Sequence, residues 1–256
     1  MALIETDRRG AVVVVTMNDS DRRNALSPEM RAELLATLDP LMGDDPARAF
    51  VLTGAGGTFC AGGDLKSMRS GDPVHARHRM MVSHRLVRLL AAGPKPVVAA
   101  VEGFAFGAGL SLAALSDICV VSRAAKFGAV FGKVGLMADL GLLWSLPQRI
   151  GAARAKRLML EAGVMEADEA ARLGLADTLC DEGEALERAV EAAETFADMA
   201  PLPLAATRSA FAQLGGDLDR ALALEVDLQG ALMASEDHAE GRAAFFEKRK
   251  PDFKGN

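Results

Sequence analysis

Two glycine-rich segments, each directly after a short apolar run, restrict the folds open to this chain more than any other feature. Residues 49–53 lead into a glycine-rich segment at 54–65, and residues 96–101 lead into a second one at 103–112. Short β-branched, apolar runs of this kind are typical of buried strands. A helical pattern follows each segment, so both are predicted to be turns from a strand into a helix.

The rest of the first 180 residues keeps the same alternation of strands and helices. An apolar run at 11–17 predicts a buried strand, and Ser27 with Pro28 predicts the start of a helix. The first third therefore has the order β-β-α-β. A further strand is predicted at 118–121, after a helix of small residues at 107–115. This alternation favours an α/β core.

The pattern changes near residue 184, after which no strand is predicted. Four helices are predicted there, at 184–198, 202–214, 218–235 and 238–248. We therefore divide the chain into an α/β core at 1–197 and a helical C-terminal region at 198–256. Leu224, Leu228, Ala231 and Leu232 form one apolar stripe on the third of these helices. The stripe indicates packing on the core or a subunit interface.

Composition excludes several classes of protein. The chain has 256 residues, half of them apolar, which is enough for one large core. Its net charge is -6 and no basic block occurs, so a nucleic-acid partner is not expected. No apolar run is long enough to span a membrane and no secretion signal is recognisable, so we expect a cytoplasmic protein without a membrane partner. The three cysteines lack metal-ligand spacing, so no metal is expected.

Both glycine-rich turns are suited to presenting backbone N–H groups. In the first, Gly62 and Gly63 leave the main chain open to a ligand, Asp64 can cap the following helix, and the Ala61 N–H is expected to point outward. In the second, Gly107 and Ala108 open a helix whose first N–H groups are free. Each turn alone is also compatible with tight packing, but the pair favours the binding of one oxyanion. Neither matches a dinucleotide or Walker pattern.

These residues resemble the signature segments of the crotonase superfamily, which contains the enoyl-CoA hydratases and isomerases. The similar segments are residues 59–65 and 103–109, and residues 23–27 and 240–253 resemble two further segments of that family. The resemblance implies a crotonase-like spiral of ββα turns with a helical C-terminal trimerisation region. It also implies a homotrimer or a dimer of trimers and an acyl-CoA thioester substrate. Coenzyme A is then part of the substrate, and no separate cofactor is expected.

The resemblance also implies roles for individual residues. The N–H groups of Ala61 and Ala108 would form an oxyanion hole for the thioester. The residues expected to contact the substrate are Arg23, Ala25, Leu26, Gly62, Asp64, Leu65, Lys66, Gly107, Ser111, Phe131 and Phe253. Phe253 is expected to reach the adenine end from a neighbouring subunit or to be a packing anchor.

The residues at the acid/base positions argue against ordinary hydration. Hydratases of the family use two glutamates, and this chain has Ser111 and Phe131 at those positions. Neither side chain exchanges protons near neutral pH as a carboxylate does. Asp139 stands where the family's single-aspartate isomerases carry their carboxylate. We therefore expect an enoyl-CoA isomerase with Asp139 as its one acid/base and with Phe106, Phe131, Leu136 and Met137 as an apolar wall.

Four alternatives remain open at this point. Asp139 is also placed to cap the helix that contains Trp144. It is placed to act as a nucleophile, as in the family's dehalogenases, which also need a histidine such as His75, His78 or His84. The protein could be an atypical hydratase with weak activity. Finally, it could bind acyl-CoA without catalysis.

Overall fold

The computed structural model describes residues 2–43, 46–68 and 72–256. Within these residues the chain forms two sheets, and the predicted order β-β-α-β of the first third is confirmed. The strands are β1 (Ile4–Arg9), β2 (Val12–Met17), β3 (Ala49–Gly54), β4 (Val97–Val101), β5 (Phe104–Phe106), β6 (Ile118–Ser122), β7 (Lys126–Gly128), β8 (Val164–Glu166) and β9 (Thr178–Cys180).

The larger sheet has the order β1-β2-β3-β4-β6-β9 and is parallel except for the β1–β2 hairpin. Strands β3 and β4 are neighbours, with Phe50 opposite Val97 and Leu52 opposite Ala99. Because parallel neighbours end at the same edge of a sheet, the two glycine-rich turns that follow β3 and β4 emerge side by side. The topology of the sheet thus brings together two segments that are about fifty residues apart.

Both faces of this sheet are covered, which explains the continuous apolar runs in its strands. Val13 and Val15 point into the main core, whereas Val12 and Val14 point into a second layer on the opposite face. Successive side chains of a strand point to opposite faces, so each run supplies both layers. The smaller sheet, in the order β5-β7-β8, lies at the end of the large one where the turns emerge.

Ten α-helices lie within the described residues. They are α1 (Pro28–Gly43), α2 (Pro73–Ala92), α3 (Ala108–Leu115), α4 (Leu142–Ile150), α5 (Ala152–Leu160), α6 (Ala167–Leu173), α7 (Ala185–Ala197), α8 (Pro201–Gln213), α9 (Leu218–Met233) and α10 (Glu236–Glu247). The predicted cap of α1 is present, because the Ser27 hydroxyl accepts a hydrogen bond from the Met30 N–H at 3.1 Å. Helix α7 covers the second layer of the large sheet.

The predicted all-helical C-terminal region is confirmed, and one arginine joins it to the core. Arg208 of α8 is buried and forms an ion pair with Asp117 at 2.9 Å. Its guanidinium also donates to the carbonyl oxygens of Leu90 and Gly93 at the end of α2. These carbonyls have no intrahelical donor, so Arg208 acts as their cap.

The apolar stripe of α9 is only partly covered. Leu224, Leu228 and Leu232 are half-buried and, with residues of α8, line a shallow groove between the two helices, whereas Ala231 is exposed. No residue of α9 is fully buried. Across the described parts of the chain, none of the helices combines the length and apolar character that a membrane span requires.

Candidate active site

A buried asparagine fastens the segment at residues 23–27 to the first glycine-rich turn. The Asn24 amide donates to the carbonyl oxygens of Ala55 and Thr58, at 2.9 and 2.6 Å. The Leu26 N–H then donates to the Gly62 carbonyl oxygen at 2.7 Å. Residues 23–27, which resemble a further segment of the family, therefore lie directly beside the turn.

The two glycine-rich turns are in direct contact. Cys60 and Phe104 are joined by a backbone hydrogen bond of 2.9 Å, and a second one joins Phe106 back to Cys60. At the tips, a Cβ added to Gly62 would lie 3.1 Å from the Phe106 carbonyl oxygen. Gly62 has a φ of +116°, a conformation in which a side chain would be strained. Glycine is therefore required at Gly62 both by the conformation and by the close approach.

The structure corrects one of the two predicted N–H donors. The Ala61 N–H is not available to a ligand, because it donates to the Arg23 carbonyl oxygen at 3.0 Å. Among the described residues, no acceptor faces the N–H of Gly63, two positions further on, or that of Ala108 at the start of α3. Gly63 and Ala108 both line the same cavity. At the cavity, the N–H groups of Gly63 and Ala108 therefore lack an acceptor in the described part of the chain, and the prediction for Ala61 is wrong.

The cavity next to these N–H groups is small, with a volume of about 100 Å³. Its wall combines apolar side chains with a few polar groups. The lining residues are Leu26, Arg31, Ala61, Gly62, Gly63, Leu65, Met68, Arg79, Met80, Ser83, Gly107, Ala108, Val130, Phe131, Val134, Leu136, Asp139 and Leu140. Among them, Asp139 carries the one carboxyl group. The apolar wall includes Phe131 and Leu136, as predicted, but neither Phe106 nor Met137.

The structure excludes the interpretation of Asp139 as a helix cap. Helix α4 begins after Gly141, and its first turn receives no hydrogen bond from a capping side chain. The Asp139 backbone carbonyl instead accepts hydrogen bonds from the Leu142 N–H and from the Ser111 hydroxyl, both at 3.0 Å. The backbone at Asp139 is therefore fixed, while its carboxyl group faces the cavity.

The surroundings of Asp139 raise its pKa. Burial is the largest cause, because the cavity wall removes water from the charged form. Arg79, Arg31, the backbone N–H of Asp139 and His84 act in the opposite direction, in that order of strength. The net result is a carboxyl group whose pKa lies above its ordinary value. Such a carboxyl group is a stronger base than an ordinary surface aspartate and is better suited to general base catalysis.

Two arginines in the cavity wall were not predicted as site residues. Arg31 of α1 is 6% exposed, and Arg79 of α2 is half-buried. A signal for Arg31 was present in the sequence, because it lies on the same helical stripe as Leu34, Leu38 and Met42. Arg79 likewise shares a stripe with Ser83, Leu86 and Leu90, which are buried. A charged residue on the core face of a helix is a reason to expect a specific task.

Several predicted contact residues lie outside the cavity. Ser111 is completely buried below it, where its hydroxyl donates to the Gly107 and Asp139 carbonyl oxygens. Exposed Arg23, half-buried Ala25 and exposed Lys66 lie on the segments that border it, and the Asp64 carboxylate accepts from the Lys66 N–H at 3.0 Å. Arg23 extends over the Phe104 ring, 6.0 Å from its centroid. Leu26, Gly62, Leu65, Gly107 and Phe131 do line the cavity.

Phe253 does not line this cavity within its own chain. Its ring packs on Gly241 of α10, where an added Cβ would be 3.4 Å away, and its carbonyl oxygen accepts from Arg48 at 2.9 Å. This arrangement agrees with the packing anchor that was one of the two interpretations of Phe253.

The nearby histidines and cysteine offer no evident second reactive group. His78 and His84 are exposed on α2, while the His75 side chain is outside the described residues. Residues 69–71 of the segment between the first turn and α2 are also outside them. Cys60 is completely buried under the turns, and burial raises the pKa of its thiol to about 11. A thiol of this kind remains protonated at neutral pH and is a poor nucleophile.

Comparison with known proteins places this site in a family. The sequence profile of the enoyl-CoA hydratase/isomerase family matches residues 7–256. The chain is 38% identical to the 1,2-epoxyphenylacetyl-CoA isomerase of Escherichia coli, with 95% of each chain covered. It is 32% identical to the short-chain-enoyl-CoA hydratase of Clostridium acetobutylicum, covering 95% of this chain and 94% of that one. The crystal structure of an enoyl-CoA hydratase from Bacillus anthracis superimposes with a TM-score of 0.91 at 30% identity, covering 99% of this chain and all of that one.

The predicted crotonase-like α/β fold is therefore confirmed over nearly the whole length of the chain. The chain belongs to the enoyl-CoA hydratase/isomerase family of the crotonase superfamily, and it is an enzyme of that family.

Proposed function

We propose that the protein is an enoyl-CoA isomerase that moves a carbon–carbon double bond with Asp139 as its single acid/base. The observation that carries the proposal is the composition of the cavity. The N–H groups of Gly63 and Ala108, which have no acceptor among the described residues, share it with one carboxyl group. The name of the isomerase from Escherichia coli also favours isomerisation over hydration.

The chemistry follows from this arrangement. The carboxylate of Asp139 takes a proton from the carbon next to the double bond of a 3-enoyl thioester. The electron pair moves toward the thioester carbonyl, and the resulting dienolate oxygen is stabilised by the Gly63 and Ala108 N–H groups. The carboxyl group then returns the proton to the γ carbon, which gives the 2-enoyl thioester. One group that alternates between base and acid suffices for this reaction. Isomerisation therefore does not require the two glutamates that Ser111 and Phe131 replace.

The coenzyme A moiety is part of this substrate rather than a separate cofactor. Arg23 and Lys66 are exposed beside the cavity and are suited to contact its phosphates. We also propose that the protein is a homotrimer or a dimer of trimers. The exposed apolar side chains of the C-terminal helices support this assembly, and among them are Val226, Met233, Phe245 and Phe246.

The test is the replacement of Asp139 by asparagine, which keeps the shape of the side chain but cannot accept the proton. We expect Asp139→Asn to lose about 10²–10⁴-fold in the conversion of 3-enoyl-CoA to 2-enoyl-CoA, with acyl-CoA binding preserved. Absorbance of the conjugated product measures the turnover, and calorimetry measures the binding. Asp168→Asn, an exposed carboxylate on α6, serves as the matched control. Turnover of Asp139→Asn at the wild-type rate would sink the proposal.

Hydration is the second candidate, and the hydratase from Clostridium acetobutylicum is the relative that favours it. It requires a group that activates water, which Asp139 would have to supply. Crotonyl-CoA offered to the same wild-type preparation separates the two reactions, because hydration removes the conjugated absorbance whereas isomerisation of 3-enoyl-CoA creates it. Hydration faster than isomerisation would favour this second candidate.

A further inference from the structure

Two guanidinium groups in the cavity wall, those of Arg31 and Arg79, lack a partner among the described residues. Arg31 and Arg79 both line the cavity, and in the described parts of the chain neither side chain forms a hydrogen bond or an ion pair. The Nε atoms of both are buried without an acceptor. Buried polar groups are almost always paired in folded proteins, and buried charges more so. Two such groups in one cavity therefore point to a ligand.

The charges in the cavity do not balance. Among the lining residues, Asp139 supplies at most one negative charge against two guanidinium groups. Burial lowers the pKa of Arg31 and the nearby positive charge of Arg79 adds to this effect, while Asp139 opposes it. Like charges that are held together at a partly buried site destabilise the fold unless an anion joins them. The side chains of the cavity thus carry more positive than negative charge.

The position of Arg79 indicates which part of the substrate would lie next to the two guanidinium groups. A Cβ added to Gly63 would lie 3.9 Å from one terminal nitrogen of Arg79, so this guanidinium is adjacent to an N–H donor of the proposed oxyanion hole. The pantetheine arm of coenzyme A separates its phosphates from the thioester, so the phosphates lie outside this small cavity when the thioester carbonyl reaches the N–H groups. An anion beside Arg31 and Arg79 must therefore be on the acyl part.

We propose that the acyl group of the natural substrate carries its own carboxylate, which Arg31 and Arg79 bind together. Two guanidinium groups provide planar, paired N–H donors that match the oxygens of a carboxylate. The substrate class is thus the CoA thioesters of dicarboxylic acids. This inference rests on the proposed function only in that the thioester is held by Gly63 and Ala108. It does not depend on the role of Asp139.

The experiment compares CoA esters that have no double bond to move and differ in one terminal group. The pairs are succinyl-CoA with butyryl-CoA, glutaryl-CoA with pentanoyl-CoA, and adipyl-CoA with hexanoyl-CoA, titrated calorimetrically into the intact protein. We expect the wild type to bind the diacid of at least one pair about tenfold or more tightly than its partner. Arg31→Met and Arg79→Met should each remove this preference and leave the monoacid affinity within about twofold, whereas Arg31→Lys should keep part of the preference.

Arg88→Met is the matched control, because Arg88 is exposed on the same helix α2 and does not line the cavity. It should retain the full preference for the diacid. If Arg31→Met fails to fold, which thermal unfolding would reveal, Arg79→Met at its half-buried position carries the test. The proposal is overturned if the wild type prefers no diacid at any length, or if the two methionine variants weaken both members of a pair equally.

The outcome is separable from the test of the proposed function. A diacid preference in a protein whose Asp139→Asn variant keeps its isomerase activity would refute the role of Asp139 and leave the anion site standing. Normal isomerisation that depends on Asp139, without any preference for a diacid, would refute the anion site and leave the role of Asp139 standing. Arginines that served only to hold the charge of Asp139 would alter the pH dependence of turnover and leave the two esters of each pair equal in affinity.

Discussion

At the scale of single residues, Asp139 is the group whose protonation the surroundings control most clearly. Burial raises its pKa, and Arg79 and Arg31 lower it in part. A carboxyl group with a raised pKa stays protonated to higher pH, and a protonated carboxyl group cannot remove a proton from the substrate. Turnover should therefore be lost as the pH falls through the raised pKa, which lies above the ordinary value of about 3.9 for aspartate.

Arg79 should influence the pH at which turnover is lost on the acidic side of the pH profile. We expect Arg79→Met to shift the limb of kcat to higher pH, because it removes the positive charge that opposes the effect of burial most strongly. The measurement is the pH profile of 3-enoyl-CoA isomerisation for the wild type and the variant. Arg88→Met, on the same helix but outside the cavity, should leave the profile in place. A limb that moves to lower pH in Arg79→Met would contradict the assigned electrostatics.

The same scale shows what the sequence could and could not provide. The glycine pattern was sufficient to locate the two turns and to place Ala108 at the start of a helix. It did not reveal that the Ala61 N–H has an acceptor, because this depends on a hydrogen bond from Ala61 to the distant Arg23 carbonyl. Arg31, by contrast, was recognisable as a charge on the apolar stripe of α1. The sequence did not show that the Arg31 guanidinium lacks a partner, because this depends on which side chains of α2 lie next to it.

At the scale of elements, the donor on α3 depends on how closely this helix packs against the first glycine-rich turn. A Cβ added to Gly109 would lie 2.2 Å from the carbonyl oxygen of Cys60 and 3.0 Å from the Cβ of Cys60. Both groups belong to the rigid contact between the turns, so they cannot move without displacing the Gly63 and Ala108 N–H groups. The small residues at the start of α3 therefore set the distance between the two donors.

We expect Gly109→Ala to lower the free energy of unfolding by about 1–3 kcal/mol because of this overpacking. It should also reduce isomerase activity, since the donors are displaced. Urea denaturation and the absorbance assay measure the two effects. Gly230→Ala on α9 is the control, because no atom lies within 4 Å of its added Cβ and the change should stabilise the helix by about 0.5–1 kcal/mol. Unchanged stability in Gly109→Ala would contradict the close packing of the turns.

Long elements were predictable and short ones were not. The helices α1 and α7 to α10 are long enough for their periodicity to be readable, and the strands β2, β3 and β4 were recognisable as continuous apolar runs. The strands β5, β7 and β8 have three residues each, too few to show a period. They form by pairing with segments that are distant in sequence, and that pairing is a property of the tertiary structure.

At the scale of the whole molecule, the C-terminal helices expose more apolar surface than an isolated chain would be expected to tolerate. Val226 is 74% exposed, and Phe245 and Phe246 are 78% and 75% exposed. Exposed apolar side chains of this size, when they form one patch, mark protein interfaces. The division of the chain at residues 197 and 198 stays a prediction, but the change from a covered core to an uncovered helical layer occurs close to that position.

The proposed assembly can be tested by placing a charge on this surface. We expect Val226→Glu to dissociate the trimer into monomers, because an unpaired carboxylate cannot be buried in an apolar interface without a large cost. Light scattering coupled to size exclusion measures the mass. Leu160→Glu on α5 is the matched control, with a similar exposure of 76% for the original side chain. If the wild type has the mass of one chain, the proposed assembly is wrong.

The link between Arg208 and the end of α2 has a consequence for how the protein is made. As the chain leaves the ribosome, α2 and Asp117 emerge long before Arg208. Until α8 follows, the carbonyl oxygens of Leu90 and Gly93 lack the guanidinium that the finished protein provides, and only water can satisfy them. The α/β core therefore gains these contacts only when the last fifth of the polypeptide has been synthesised.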